Sequence, residues 1–244
     1  MTTYDTLLLL AASALLVPAL AACDDGSTAR DADRGEPPTA FADLPPDQIA
    51  RTAKDAVRGS GALFLERDLT VDGVSTSIDL HLDDEGNCLG SIRKDDGTAS
   101  ILGVEGTIWF RPDEAFWRLS DPDVADAVVD EVRGRWVETQ SLGDLCDLDL
   151  VFGDADSTGE RHYETLGTDE VDGEQVVRVR STGDDGISSV ASVLTAEPHY
   201  LVQVDAEGRA EGTVWLSGFG EDVATQPPPA RDRVDQDELD ALPD

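Results

Sequence analysis

Asp-Gly and Glu-Gly pairs punctuate this chain at Asp72-Gly73, Glu85-Gly86, Asp96-Gly97, Glu105-Gly106, Asp172-Gly173, Asp185-Gly186 and Glu207-Gly208, and the runs between them alternate apolar and polar residues. Ile78, Leu80 and Leu82 interleave with Asp79 and His81. Val177 and Val179 interleave with Arg178 and Arg180, and Val202 and Val204 flank Gln203. Glycine supplies the positive φ that a tight hairpin turn needs, and period-two alternation gives each strand one apolar face. Connections this short cannot make parallel crossovers, so the strands must pair antiparallel.

Helical spacing interrupts the strands three times. The first helix is expected from Asp47 to Arg58, with Ile49, Ala53, Ala56 and Val57 on one face and Gly59 as its stop. The second is expected to start at Asp121 as N-cap, with Pro122 in its first turn, a stripe of Val124, Val128 and Val132, and Gly134 at its end. The third is expected to begin at Ser141, with Asp144 in a capping-box position and Leu142, Leu145, Cys146 and Leu148 as its apolar positions. A flat sheet of this width would leave an apolar face in water. The fold class is therefore α+β: one large, strongly curved antiparallel sheet with helices packed on its concave side.

The two ends have a different composition. Residues 7–22 form an apolar run that is short for a membrane span and long enough for a signal core. It closes on Leu20-Ala21-Ala22-Cys23, which resembles the lipobox of bacterial lipoproteins: small residues that enter a narrow peptidase site, then a thiol on which a diacylglycerol is built. Met1 to Thr6 lacks Lys and Arg and carries Asp5, unlike the basic start of most signal peptides. The expected organisation is a signal peptide over residues 1–22, lipidated Cys23 followed by a flexible tether to residue 45, a domain over 46–225 and a disordered acidic tail over 226–244. The tether is rich in Asp, Gly, Pro, Ala and Thr, and its flexible-coil reach is on the order of 25 Å. The expected location is the extracytoplasmic face of the cell membrane, held by acyl chains. Two or more such chains, at about 0.8 kcal/mol per buried methylene, anchor stably.

Charge and cysteine usage fit that location. The net charge is -34, from 52 acidic and 18 basic residues. Nucleic-acid binding needs clustered Lys and Arg and is excluded as a class. Anionic headgroups repel such a surface, so contact with the bilayer falls to the anchor. With Cys23 acylated, Cys88 and Cys146 remain in an oxidising compartment and are expected to pair. Two buried free thiols are the alternative. A monomer is expected.

No catalytic or metal site is legible, and no cofactor is expected. His81, His162 and His199 have no zinc-ligand spacing, and there is no nucleophile elbow, Ser-x-x-Lys or phosphate loop. Asp83-Asp84-Glu85-Gly86-Asn87 lacks the spaced ligands of an EF-hand and reads as a hairpin turn. Asp144, Asp147 and Asp149 are among so many acids that an acid/base pair would arise by chance. The segment from Ile108 to Trp117 concentrates aromatics in a chain with 5% of them. It reads as a hairpin whose rings either fill the core or line an apolar cavity. Leu80, Trp109 and Trp117 are the candidate lining residues.

The order of these features resembles the actinobacterial lipoproteins of the LppX/LprG type, related in fold to the LolA carriers. The matching points are the lipobox at Cys23, Val57-Arg58-Gly59-Ser60-Gly61, the Ile108–Trp117 segment and Gly134-Arg135-Trp136-Val137. Val171-Asp172-Gly173-Glu174, His199-Tyr200-Leu201-Val202 and Phe219-Gly220 complete them, over about Asp47 to Val234. The resemblance implies a half-open β-barrel, helices as a lid, and an apolar cavity able to hold acylated lipids. The expected function is non-enzymatic: binding a lipid or other apolar ligand, with carriage across the cell envelope as its extension. The alternative is an interaction or accessory module for an envelope partner. A hydrolase ranks last.

Overall fold

The computed structural model describes residues 40–234, apart from 72, 121, 123–124, 140–141, 149–160, 185 and 208–209. Among these, eleven strands form a single antiparallel sheet. In chain order they are β1 (Ala62–Val71), β2 (Val74–Asp83), β3 (Cys88–Lys94), β4 (Gly97–Val104), β5 (Thr107–Pro112), β6 (Val137–Thr139), β7 (His162–Val171), β8 (Glu174–Thr182), β9 (Ser188–Leu194), β10 (Leu201–Glu207) and β11 (Ala210–Ser217). The helices are α1 (Pro46–Gly59), α2 (Glu114–Ser120) and α3 (Ala125–Val132). The spatial order is β6-β5-β4-β3-β2-β1-β11-β10-β9-β8-β7, so the central β1–β2 hairpin divides two meanders and neither outer strand closes on the other. This is the α+β, half-open barrel expected.

The period-two pattern becomes two distinct faces. Register places Leu65 beside Leu80 and Leu216, and Leu63 beside Leu82, so these side chains share one face. They build the main core with Val57, Ile101, Ile108 and Leu148. Farther along the same face, Val177, Val179 and Val193 receive Ile49 and Ala53 from α1. The apolar stripe of one helix, Ile49-Ala53-Val57, thus touches both halves of the sheet, which curls around it.

Turn chemistry follows the acid-glycine pairs. Glu105 and Gly106 have φ of 48° and 80°, and Asp172 and Gly173 have 51° and 84°, the positive-φ pair that matches strand twist. At Asp96-Gly97 the reading shifts by one residue. The turn is Asp95-Asp96, and Gly97 starts β4, where a Cβ would lie 2.5 Å from the Phe116 backbone of α2.

Three sequence expectations are corrected. The Ile108–Trp117 segment is a strand followed by a helix, since Asp113 ends β5 and caps α2: its carboxylate accepts N–H groups from Phe116 at 2.7 Å and Thr98 at 2.9 Å. The helix expected from Asp121 to Gly134 is shorter, Ala125–Val132. Within the helix expected from Ser141, Gly143–Cys146 is a 3-10 turn, and Ser141 and the residues just after Leu148 lie outside the described residues.

Both boundaries of the folded part also move outward. Phe41–Asp43 forms a 3-10 turn, with Phe41 stacked on His199 at 3.7 Å and Leu44 packed against the α1 core. At the other end the chain does not fray at Gln226. Trp136 donates its N–H to the Asp232 carbonyl, Val234 donates its own to the Trp136 carbonyl, and Val234 is buried with Val132 and Val137. That segment covers the short edge beside β6. The expected signal peptide, Cys23 and most of the expected tether lie outside the described residues, as do residues 235–244.

Candidate functional site

The helix-free face of the sheet carries a cleft of about 680 Å³. Its first wall follows from alternation. With Leu65 and Leu216 turned to the core, Glu66, Asp68, Trp215 and Ser217 face the other way, and register sets Glu66 directly beside Trp215. Val214-Trp215-Leu216 is apolar on both faces, so β11 presents an indole where a strand of this kind usually shows a polar group.

A break in pairing opens the cleft. The β10–β11 ladder runs from Gln203/Trp215 to Ala206/Gly212, while β11 continues along β1 as far as Ser217. Beyond that ladder stand Tyr200 and Phe219, rings stacked at 3.9 Å and 13°. A bulge between Leu201 and Gln203 brings Val202 into the lining. The far wall comes from Leu194 of β9 and the β7–β8 turn, through Val171, Asp172 and Glu174.

The cleft therefore has aromatic and aliphatic walls with four carboxylates around them: Glu66, Asp68, Asp172 and Glu174. Lys, Arg and His do not contribute to its lining. None of the four carboxylates forms an ion pair or side-chain hydrogen bond among the described residues. Four other acids on neighbouring strands are paired with arginine. Arg178 lies 3.6 Å from Asp169 and 4.0 Å from Asp205, and Arg180 lies 3.6 Å from Glu164 and 3.2 Å from Glu207. The Arg180 hydrogen bond, helped by the Ser188 hydroxyl, holds the Glu207 carboxyl below its usual range.

Such a site can bind and orient a partly apolar molecule. No nucleophile–base pair is built into its walls. Among the described residues no group of three metal-ligating side chains occurs. The acidic run at Asp83 is a turn device: its carboxylate accepts N–H groups from Glu85 and Asn87, at 3.0 and 2.9 Å, and the Asn87 side-chain amide at 2.9 Å.

The residues singled out from the sequence have other positions. Cys88 and Cys146 are joined in a disulfide, with Cα atoms 5.5 Å apart, and it pins the 3-10 turn to β3. Leu80, 1% exposed, fills the main core and lines no part of the cleft. Trp109 and Trp117 lie on opposite sides of the sheet and cannot share a pocket. Phe110, next along β5, faces the helices and meets Trp117 edge-on at 6.2 Å. Trp109 points the other way and lies under the Arg233 guanidinium at 5.1 Å. Sequence reading missed Trp215, Tyr200 and Phe219. The unbroken apolar triplet at Val214-Trp215-Leu216 was the available signal.

No family model matches the chain, and no curated protein is similar to it in sequence. Solved structures do match. The crystal structure of the Mycobacterium tuberculosis lipoprotein LppX superposes with a TM-score of 0.52 at 15% identity, over 75% of this chain and 100% of that one. The two proteins share a fold. MucB matches with a TM-score of 0.38 at 12% identity, over 78% of this chain and 63% of that one. A DUF1329 family protein from Desulfovibrio piger matches with a TM-score of 0.30 at 12% identity, over 71% and 92%. Both scores are too low to support an argument.

Proposed function

We propose that this protein is an extracytoplasmic lipoprotein, anchored through Cys23, that binds an apolar ligand. The observation that carries the reading is the 680 Å³ cleft walled by Trp215, Tyr200, Phe219, Val202 and Leu194. Its volume falls within the roughly 300–1,000 Å³ of small-molecule sites, whose walls are mostly apolar with a few polar groups that orient the guest. The apolar and aromatic part of the cleft favours a guest because occupancy removes that surface from solvent. The fold shared with the lipoprotein LppX and the lipobox at Cys23 support the location and the class together. Among the described residues no helix is long and apolar enough to cross a membrane. Carriage of the ligand through the envelope is the natural extension of a site on a tethered domain.

Native mass spectrometry and organic extraction of the purified full-length chain test this reading. A stoichiometric apolar ligand, or saturable uptake of one, is the expected result. A protein that is always empty and takes up no apolar probe overturns it.

A further inference from the structure

We infer that the cleft selects a cationic amphiphile: an apolar body ending in an ammonium or guanidinium group. The inference rests on reading the cleft as a ligand site and adds the sign of the guest's charge.

Charge complementarity carries it. Glu66 and Asp68 stand on one wall and Asp172 and Glu174 on the other, with no cation in the lining. Their isolation contrasts with the arginine-paired acids at Glu164, Asp169, Asp205 and Glu207 on neighbouring strands. Like charges gathered around a concave, solvent-open cleft build a negative potential in it that salt screens. An anionic headgroup entering the cleft meets four carboxylates and nothing to offset them, on a chain whose net charge is already -34. A cationic head gains from all four.

The aromatic wall acts in the same direction. Trp215 is 37% exposed beside Glu66, so an indole face and a carboxylate are available together. An ammonium over an indole face is attracted by the ring quadrupole, more strongly as it is desolvated. The volume suits one small molecule, and that is the occupant inferred here.

Three probes with the same chain separate charge from apolarity: dodecyltrimethylammonium, dodecyl maltoside and dodecyl sulfate. Each is titrated below its micelle concentration into the full-length chain and followed by calorimetry. The cationic probe is expected to bind on the order of tenfold or more tighter than the anionic one, with the neutral probe between. Raising the salt concentration should narrow that gap. Glu66→Gln with Glu174→Gln should weaken the cationic probe more than the neutral one and narrow the gap between them. Trp215→Ala should weaken all three. Equal affinities, or an anionic preference, overturn the charge inference and leave the apolar site standing. Failure of every probe to bind overturns both readings. A dimer that shields Trp215 without any probe makes the cleft a protein interface and also overturns the inference.

Discussion

Gly90 runs so close to Asp79 on the neighbouring strand that a methyl group on its Cα would overlap the Asp79 carbonyl oxygen. Gly212 stands in the same relation to Asp68. The two glycines flank the central hairpin, Gly90 opposite Leu80 of β2 and Gly212 opposite Leu69 of β1. Glycine in a strand interior marks a bend or a close backbone approach, and here one stands on each side of the β1–β2 hairpin. Gly90→Ala and Gly212→Ala are each expected to cost about 1–3 kcal/mol or more through overpacking. For a domain of this size that is a fall of roughly 2–4 °C in Tm per kcal/mol. Gly59→Ala is the contrast. Nothing lies within 4 Å of its Cβ site at the end of α1, so it should be neutral or stabilising by up to about 1 kcal/mol. Thermal melts of the three variants check the pattern.

The disulfide makes a separate prediction. Cys88 and Cys146 are 58 residues apart in sequence, and closing a loop of that length limits the unfolded chain. In the chain-entropy model the bond stabilises by about 4 kcal/mol. Cys88→Ser with Cys146→Ser should lower the urea midpoint accordingly, while the wild type with reductant should approach the double variant. Alkylation followed by mass measurement gives an independent check. Neither residue should be modified before reduction.

The parts of this fold that were legible in the sequence are those set by neighbours along the chain. Ile49, Ala53 and Val57 repeat at helical spacing, and the helix read as Asp47–Arg58 extends over Pro46–Gly59. Turn pairs such as Asp172-Gly173 located hairpins because both φ values are a local property. The α2 helix was missed because Phe116 and Trp117 favour strands by propensity. The Asp113 cap and the backbone contact at Gly97 decide against that propensity. The cleft was illegible for a different reason. Glu66, Trp215, Leu194 and Glu174 meet only through register across strands remote in sequence.

Acid should expose the ion pair at the rim of the helix-free face. Arg180 lowers the Glu207 carboxyl below its ordinary value of 4.5, chiefly by hydrogen bonding, with Ser188 adding to it. A carboxyl depressed in the folded state stabilises above its unfolded pKa and loses that contribution as pH falls through the folded value. Glu207→Gln should therefore be less stable than wild type at neutral pH. The difference should fade as pH drops below about 4.5 and vanish once the folded-state carboxyl is protonated. Melting temperatures from pH 7 to pH 3 test this, and a gap that widens in acid contradicts the assignment. Salt should shrink the neutral-pH gap, because the pair is solvent-accessible.

In the proposed reading, Cys23 sets where the domain works. The thiol follows Leu20-Ala21-Ala22 and precedes Asp24-Asp25-Gly26, a sharp change from apolar to polar that suits cleavage in front of a cysteine. A chain with net charge -34 gains nothing from anionic headgroups, so the proposed membrane association rests on acyl chains. Cys23→Ala should move the protein from the membrane pellet to the soluble fraction, without altering the thermal melt of the folded domain. Membrane-bound protein after that substitution would place the attachment elsewhere in the chain. In the wild type, intact mass should exceed that of the chain beginning at Cys23 by the added diacylglycerol and acyl groups.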